Sequence, residues 1–290
     1  MAGRPPPAPR RSPAVTLGPV ADPERYVPAE WWRTVFNGAY LRTDGDVVEN
    51  AANTAADIDL LLAATGLRRG DPVLDLCCGQ GRHTLELARR GFRHVCGLDC
   101  SRHLLRIART RARAAGLAPD FRQRDARAPF TAGGPFAGVV LLGNSFGYFA
   151  LPADDGALLA AARAALRPGG VLAMDVADGD WVRSHFERRS WEWVDRRSFV
   201  CRERALSADG TRLICRELIT HARRGVLADQ FYAQRLYSRE QLHALLRAAG
   251  FDRLEDHGVI RSGSTRNQDL GLMAHRIFVT ARAAGSAPRA

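Results

Sequence analysis

The chain has 290 residues, 46% of them hydrophobic, and a formal net charge of +11 in which all 42 basic residues are arginine and none is lysine. That length and apolar content are enough to bury one full core with an embellishment, and no window holds the 18 or so uninterrupted apolar residues of a membrane span. Exclusion of lysine, which binds phosphate well as a point charge, fits the codon bias of a GC-rich genome better than selection for nucleic acid. The arginines also alternate with acids, as at Arg202, Glu203 and Arg204 or at Arg216 and Glu217, in the manner of solvated sheet faces.

In chain order, residues 1–25 are rich in Pro and Arg and lack the apolar core of a signal peptide, so a disordered tail and a cytoplasmic protein are expected. Residues 26–66 read as cap helices: apolar side chains fall at helical spacing over 30–41, Asp44 and Gly45 interrupt, and a second helical run covers 47–62. Tyr40 lies on the first run, where an aromatic more often packs in a core than meets a ligand.

Residues 72–87 read as a buried strand, a glycine turn (Gly79, Gly81) and a helix start, with Asp75 just before the turn. Such a strand, turn and helix bring backbone close to a nucleotide-like ligand. The third glycine of a dinucleotide fingerprint is absent, since Arg82, His83 and Thr84 follow. An acid at the strand end would repel a pyrophosphate and suits a cationic ligand with an amino group, such as S-adenosylmethionine. Asp99 closes the next apolar strand (94–99), where it can accept from both ribose hydroxyls, and Asp125 closes a third (120–125), where it can accept from an adenine amino group. Three acids at three successive strand ends are far more specific than one.

On these motifs the chain resembles the class I S-adenosylmethionine-dependent methyltransferases over roughly residues 45–282. The family's first motif, an acid followed by three alternate glycines, appears at 75–81 with Cys77 in place of the first glycine. The resemblance implies a Rossmann-like, doubly wound α/β fold with a seven-stranded sheet whose last strand is antiparallel, within a methyltransferase domain at 67–282 and a tail at 283–290. It implies S-adenosylmethionine as cofactor, held by Asp75, Cys77, Gly79, Gly81, Asp99, Cys100, Asp125, Ala126, Leu142 and Gly143. The segment after the fourth strand, with Asn144 and Tyr148, would line the site of methyl transfer, and residues 167–175 match the turn and fifth strand.

Residues 190–237 alternate as three or four antiparallel strands with turns at 208–210 and 224–225, an inserted β sheet standing over the strand ends as a lid or serving as a homodimer interface. In its last strand Tyr232 and Gln234 share one face, Phe231 and Arg235 the other, and which face meets substrate stays open. By the resemblance, the sixth strand (254–260) and the antiparallel seventh (275–280) are joined on the catalytic side by a polar loop, 261–269, where Arg266 and Asn267 are candidates for a polar acceptor. His83, His185, Tyr148 and Tyr232 are candidate bases, with none singled out as catalytic. Cys77, Cys78, Cys96 and Cys100 lack paired zinc spacing, so no metal is expected. Absence of a Pro-Pro-aromatic motif after Asn144 argues against adenine or glutamine amide methylation. The expectation is a methyltransferase acting on nitrogen or oxygen of a small polar metabolite, amino-acid-like or a natural-product intermediate. The alternatives are an RNA methyltransferase, which predicts a contiguous arginine face, and a non-catalytic S-adenosylmethionine-binding regulator.

Overall fold

The computed structural model describes residues 17–130, 133–264, 266 and 270–285. The N-terminal segment forms three single-turn helices, α1 (Trp32–Val35), α2 (Tyr40–Thr43) and α3 (Gly45–Val48), before a long α4 (Ala51–Thr65). The first expected helical run is therefore broken. Asn37 turns the chain instead, its side chain donating to the Thr34 carbonyl and accepting from the Ala39 N–H, as a short amide competing with the helical backbone does. The second run starts at Ala51 because Asn50 caps it, its Oδ1 accepting from Ala52 and Asn53, and it stops at Gly66 in the left-handed conformation.

The core alternates strand and helix: β1 (Val73–Leu76), α5 (Arg82–Arg89), β2 (Val95–Asp99), α6 (Arg102–Ala114), β3 (Asp120–Gln123), β4 (Phe136–Leu141), α7 (Pro152–Ala165), β5 (Leu166–Ala177) and α8 (Gly179–His185). β1, β2 and β4 are buried along their whole length, as their unbroken apolar runs require of strands covered on both faces. Four antiparallel strands follow, β6 (Arg189–Asp195), β7 (Ser198–Leu206), β8 (Arg212–His221) and β9 (Gly225–Arg235), then α9 (Arg239–Ala248), β10 (Phe251–Ile260) and β11 (Arg276–Ala283).

The main sheet has the order β3-β2-β1-β4-β5-β11-β10, with β11 antiparallel to both neighbours, which is the expected seven-stranded arrangement. Strand order reverses between β1 and β4, so the crevice beyond their C-terminal ends is where an open α/β sheet binds ligand. The four remaining strands form a separate meander, β6-β7-β8-β9. Its last strand is fastened to the segment after β4. The Arg235 N–H donates to the Gly147 carbonyl at 2.7 Å, and a Cβ on Gly147 would stand 2.8 Å from the Arg235 carbonyl oxygen. Among the described residues no helix is long and apolar enough to cross a membrane.

Candidate functional site

At the end of β1 the backbone of Cys77 takes φ +60°, a left-handed conformation that costs a residue with a Cβ about 1–2 kcal/mol. This is the position where the family pattern has glycine, so the turn keeps its shape despite the substitution. Asp75 lies under the turn: its Oδ2 accepts from the Thr84 hydroxyl at 2.5 Å, and burial pushes its carboxyl pKa up. Gly81 also lies behind the turn, where a Cβ would meet Ala108 and the Phe121 ring at 3.0 Å. The other eight residues expected at the cofactor, Cys77, Gly79, Asp99, Cys100, Asp125, Ala126, Leu142 and Gly143, all line one cavity of about 940 Å³.

Two carboxylates dominate that cavity. Asp99 accepts from the Gly79 N–H at 2.8 Å and the Ser101 N–H at 2.6 Å, one bond to each oxygen. Each oxygen retains a lone pair, the capacity two ribose hydroxyls need. Burial raises the Asp99 pKa against those bonds. Asp125 is more fully engaged: Arg127 donates through its N–H, Nε and Nη2, and Arg33 through Nη2 at 3.2 Å. These bonds, Arg127 first, hold its carboxyl below the usual range. An adenine amino group there would share the carboxylate with Arg33. Beside it Trp32 and Phe149 meet edge to face at 5.5 Å and supply an apolar wall, which the sequence pattern of a short helix did not reveal.

A charge network unseen in the sequence closes the other end. Arg82 Nη1 donates to Asp57 at 2.7 Å and to the Thr54 hydroxyl at 3.3 Å, and His83 Nε2 lies 3.0 Å from the same Asp57 oxygen. Burial opposes the Asp57 charge, but the hydrogen bond and charge of His83, then Arg82, hold its carboxyl well below the usual range. Arg82 Nη2 lies 3.4 Å from where a Gly143 Cβ would stand, so a guanidinium borders the cavity beside the turn. It suits the carboxylate of a methionine moiety. Asp175 fixes the turn after β4, accepting from the Gly143 and Asn144 N–H groups and pairing with Arg276.

A second cavity, of about 960 Å³, adjoins the first and shares Phe36, Tyr40, Val48, Gly143 and Tyr148 with it. The inner face of the added sheet walls it, contributing Arg202, Cys215, Glu217, Tyr232 and Gln234. The Tyr232 and Gln234 face is thus the one turned inward. Phe231 packs instead on Tyr26 at 5.2 Å, and Arg235 reaches the Ala150 carbonyl at 2.9 Å and Asp155 at 3.4 Å. Arg235 therefore stands apart from the other acceptor candidates, because strand alternation points it at the loop before α7.

Tyr40, Asn144, Tyr148 and Tyr232 all border the second cavity. The Asn144 amide is largely engaged: it exchanges two hydrogen bonds with Gln234, at 2.8 and 2.6 Å, and its oxygen also accepts from the Ala177 N–H. Arg266 ties its loop to α2 and α3, donating to Asp46 and the Arg42 carbonyl, while Asn267 lies outside the described residues. Burial raises the phenol pKa of Tyr40, Tyr148 and Tyr232, so all three are neutral hydroxyls at physiological pH. His185 stacks on Trp181 at 4.6 Å and lines neither cavity. Burial also keeps the cysteine thiols neutral, Cys96 and Cys100 being pushed up to about 12.

Comparison with known proteins agrees with this geometry. Residues 73–170 match the model of a methyltransferase domain. A dTDP-3-amino-3,4,6-trideoxy-alpha-D-glucopyranose N,N-dimethyltransferase from Streptomyces venezuelae is 33% identical over 176 residues, 58% of this chain and 69% of that protein. A ubiquinone biosynthesis O-methyltransferase from Cereibacter sphaeroides is 30% identical over 183 residues, 57% of this chain and 70% of the relative. Among solved structures, S-adenosylmethionine-bound CalS10, an amino pentose methyltransferase from Micromonospora echinaspora involved in calicheamicin biosynthesis, superposes with a TM-score of 0.56 at 26% identity, covering 80% of this chain and 90% of that one. The chain belongs to the class I S-adenosylmethionine-dependent methyltransferases. It is an enzyme of methyl transfer, with S-adenosylmethionine as its cofactor.

Proposed function

We propose that the acceptor is the amine of a small polar metabolite, methylated at nitrogen where the two cavities meet. The observation that carries this reading is the second cavity itself: aromatic rings line it, its carboxylates Asp44 and Glu217 stand with Arg202 and Arg204, and no described residue bordering it is an imidazole. S-adenosylmethionine supplies a methyl group on a sulfonium, and displacement by a nucleophile depends mainly on alignment and exclusion of water. Tyr40, Phe36 and Tyr148 pack ring against ring at 5.0 and 5.5 Å along the shared boundary and would exclude water there. Asp44, part exposed at the cavity wall, favours entry of a cationic amine, whose proton can leave to solvent before reaction.

A hydroxyl acceptor benefits from a general base, and the buried neutral tyrosines are poorly suited to that role. The amino-sugar substrate in the name of the Streptomyces relative supports the same reading. For the cofactor, we propose Asp99 for the ribose hydroxyls, Arg82 for the methionine carboxylate, and Ala126 with Trp32 and Phe149 around the adenine. The test is incubation of the protein and S-adenosylmethionine with matched panels of small amines and alcohols, products being read by mass spectrometry. Methyl on nitrogen supports the proposal; methyl on oxygen alone overturns it.

A further inference from the structure

We propose that Asp44 and Arg202 form the acceptor-reading pair of the second cavity, and that together they select a vicinal amino alcohol, an amine with a hydroxyl on the adjacent carbon. The inference rests on the amine reading above and narrows it.

Asp44 stands between α2 and α3 with its side chain 36% exposed, and it lines the second cavity. Its Oδ2 accepts from the Thr43 hydroxyl at 2.7 Å. Its Oδ1 faces Arg202 Nη2 at 3.5 Å, without hydrogen-bond geometry. Arg202, only 6% exposed, is held from behind: Nε donates to Glu217 at 2.9 Å and Nη1 to Glu192 at 3.1 Å. A guanidinium is planar, so anchoring two of its nitrogens fixes the direction of the third. That third nitrogen, Nη2, has no hydrogen-bond partner among the described residues. A buried donor without a partner is costly to the fold, and it is satisfied when a ligand accepts from it.

The charges set the sign of that ligand. At the cavity wall Asp44 and Glu217 balance Arg202 and Arg204, and among the described residues just behind it Asp46 and Glu192 outnumber Arg266 by one. An acceptor carboxylate or phosphate would add to that excess, whereas an ammonium relieves it. The group taking the Arg202 hydrogen bond is therefore a neutral oxygen, and the group donating to Asp44 is the amine. Heteroatoms on adjacent carbons stand about one hydrogen-bond length apart, close to the 3.5 Å between the donor and acceptor atoms of the pair.

The probes are trans-2-aminocyclohexanol, its O-methyl ether, cyclohexylamine and cyclohexanol, assayed with wild type and with Asp44→Asn and Arg202→Lys variants. Binding of S-adenosylhomocysteine is measured alongside by calorimetry to report on the folded cofactor site. The expected result is N-methylation of the amino alcohol with kcat/KM at least about tenfold above that of cyclohexylamine, a preference that shrinks in both variants while cofactor affinity holds. Equal N-methylation of cyclohexylamine and the amino alcohol by wild type overturns the pairing but leaves the amine reading standing. So does a preference that survives Asp44→Asn. Methylation of cyclohexanol with neither amine accepted, or methyl transfer to none of the four by protein that binds S-adenosylhomocysteine, overturns both.

Discussion

Asp99, proposed above for the ribose, is braced by the backbone around it. Its two oxygens already brace the backbone at Gly79 and Ser101, so the carboxylate is held rigid at the cavity wall before any ligand arrives. An Asp99→Asn substitution keeps the shape but replaces one acceptor oxygen by a donor nitrogen facing an N–H. Loss of a charge-assisted hydrogen bond is worth about 1.5–3 kcal/mol, so S-adenosylhomocysteine should bind about 10- to 100-fold more weakly by calorimetry. Undiminished affinity would show that the ribose is held elsewhere.

Asp155 belongs to the same scale but acts through pH. Burial pushes its carboxyl up to about 6, against the opposing hydrogen bond from Tyr237 and the charge of Arg235. The folded chain thus holds a proton that the unfolded chain releases near pH 4. Stability from this group is full below about pH 4 and falls as pH rises through about 6. Urea titrations of wild type and Asp155→Asn should therefore diverge across that window, the variant gaining relative stability with rising pH by up to about 3 kcal/mol. Parallel pH profiles would refute the assignment.

Between elements, the joint that matters is the reciprocal amide pair of Asn144 and Gln234, which fixes β9 to the turn after β4. Gln234 also donates to the Phe146 carbonyl, so its side chain serves three atoms of two partners in a fully buried setting. Gln234→Leu strands those groups, at about 1–3 kcal/mol for each unsatisfied one. The expected outcome is a loss of several kcal/mol in stability and faster hydrogen exchange at residues 144–149. Methyl transfer should fall more than cofactor affinity does, because the disturbed wall lies on the acceptor side. The strands themselves were legible from alternation and turn residues, but the inward face of β9 was not. Alternation defines two faces without saying what packs on either. The helical run over 30–41 misled for a related reason: periodicity marked an apolar face, while Asn37 and Gly38 broke the helix locally.

At the level of the whole molecule, the added sheet is continuous with the core through β9 and through the Arg183 side chain, which donates to the Leu236 carbonyl at 2.6 Å. Sheet and core should consequently unfold in one cooperative transition, with circular dichroism and tryptophan fluorescence giving coincident curves. S-adenosylhomocysteine at 100 times its Kd should stabilise that transition by about 2.7 kcal/mol. A separate early transition reported by Trp191 and Trp193, exposed on β6, would mean that the sheet folds independently.

The sequence by itself determined the class of fold and the identity of the cofactor. Buried parallel strands must be written as apolar runs, and a turn that brings backbone to a nucleotide needs small residues, so the acids at 75, 99 and 125 announced their strand ends. Only the tertiary structure decided what those acids do. It turned Asp75 inward to Thr84, occupied Asp125 with two arginines, and brought Asp57 to Arg82 and Asp44 to Arg202. Three of these pairings, Asp125 with Arg33, Asp57 with Arg82 and Asp44 with Arg202, join residues far apart in the chain. Local pattern is dictated by the period of one element, whereas a contact between elements depends on how several faces pack at once.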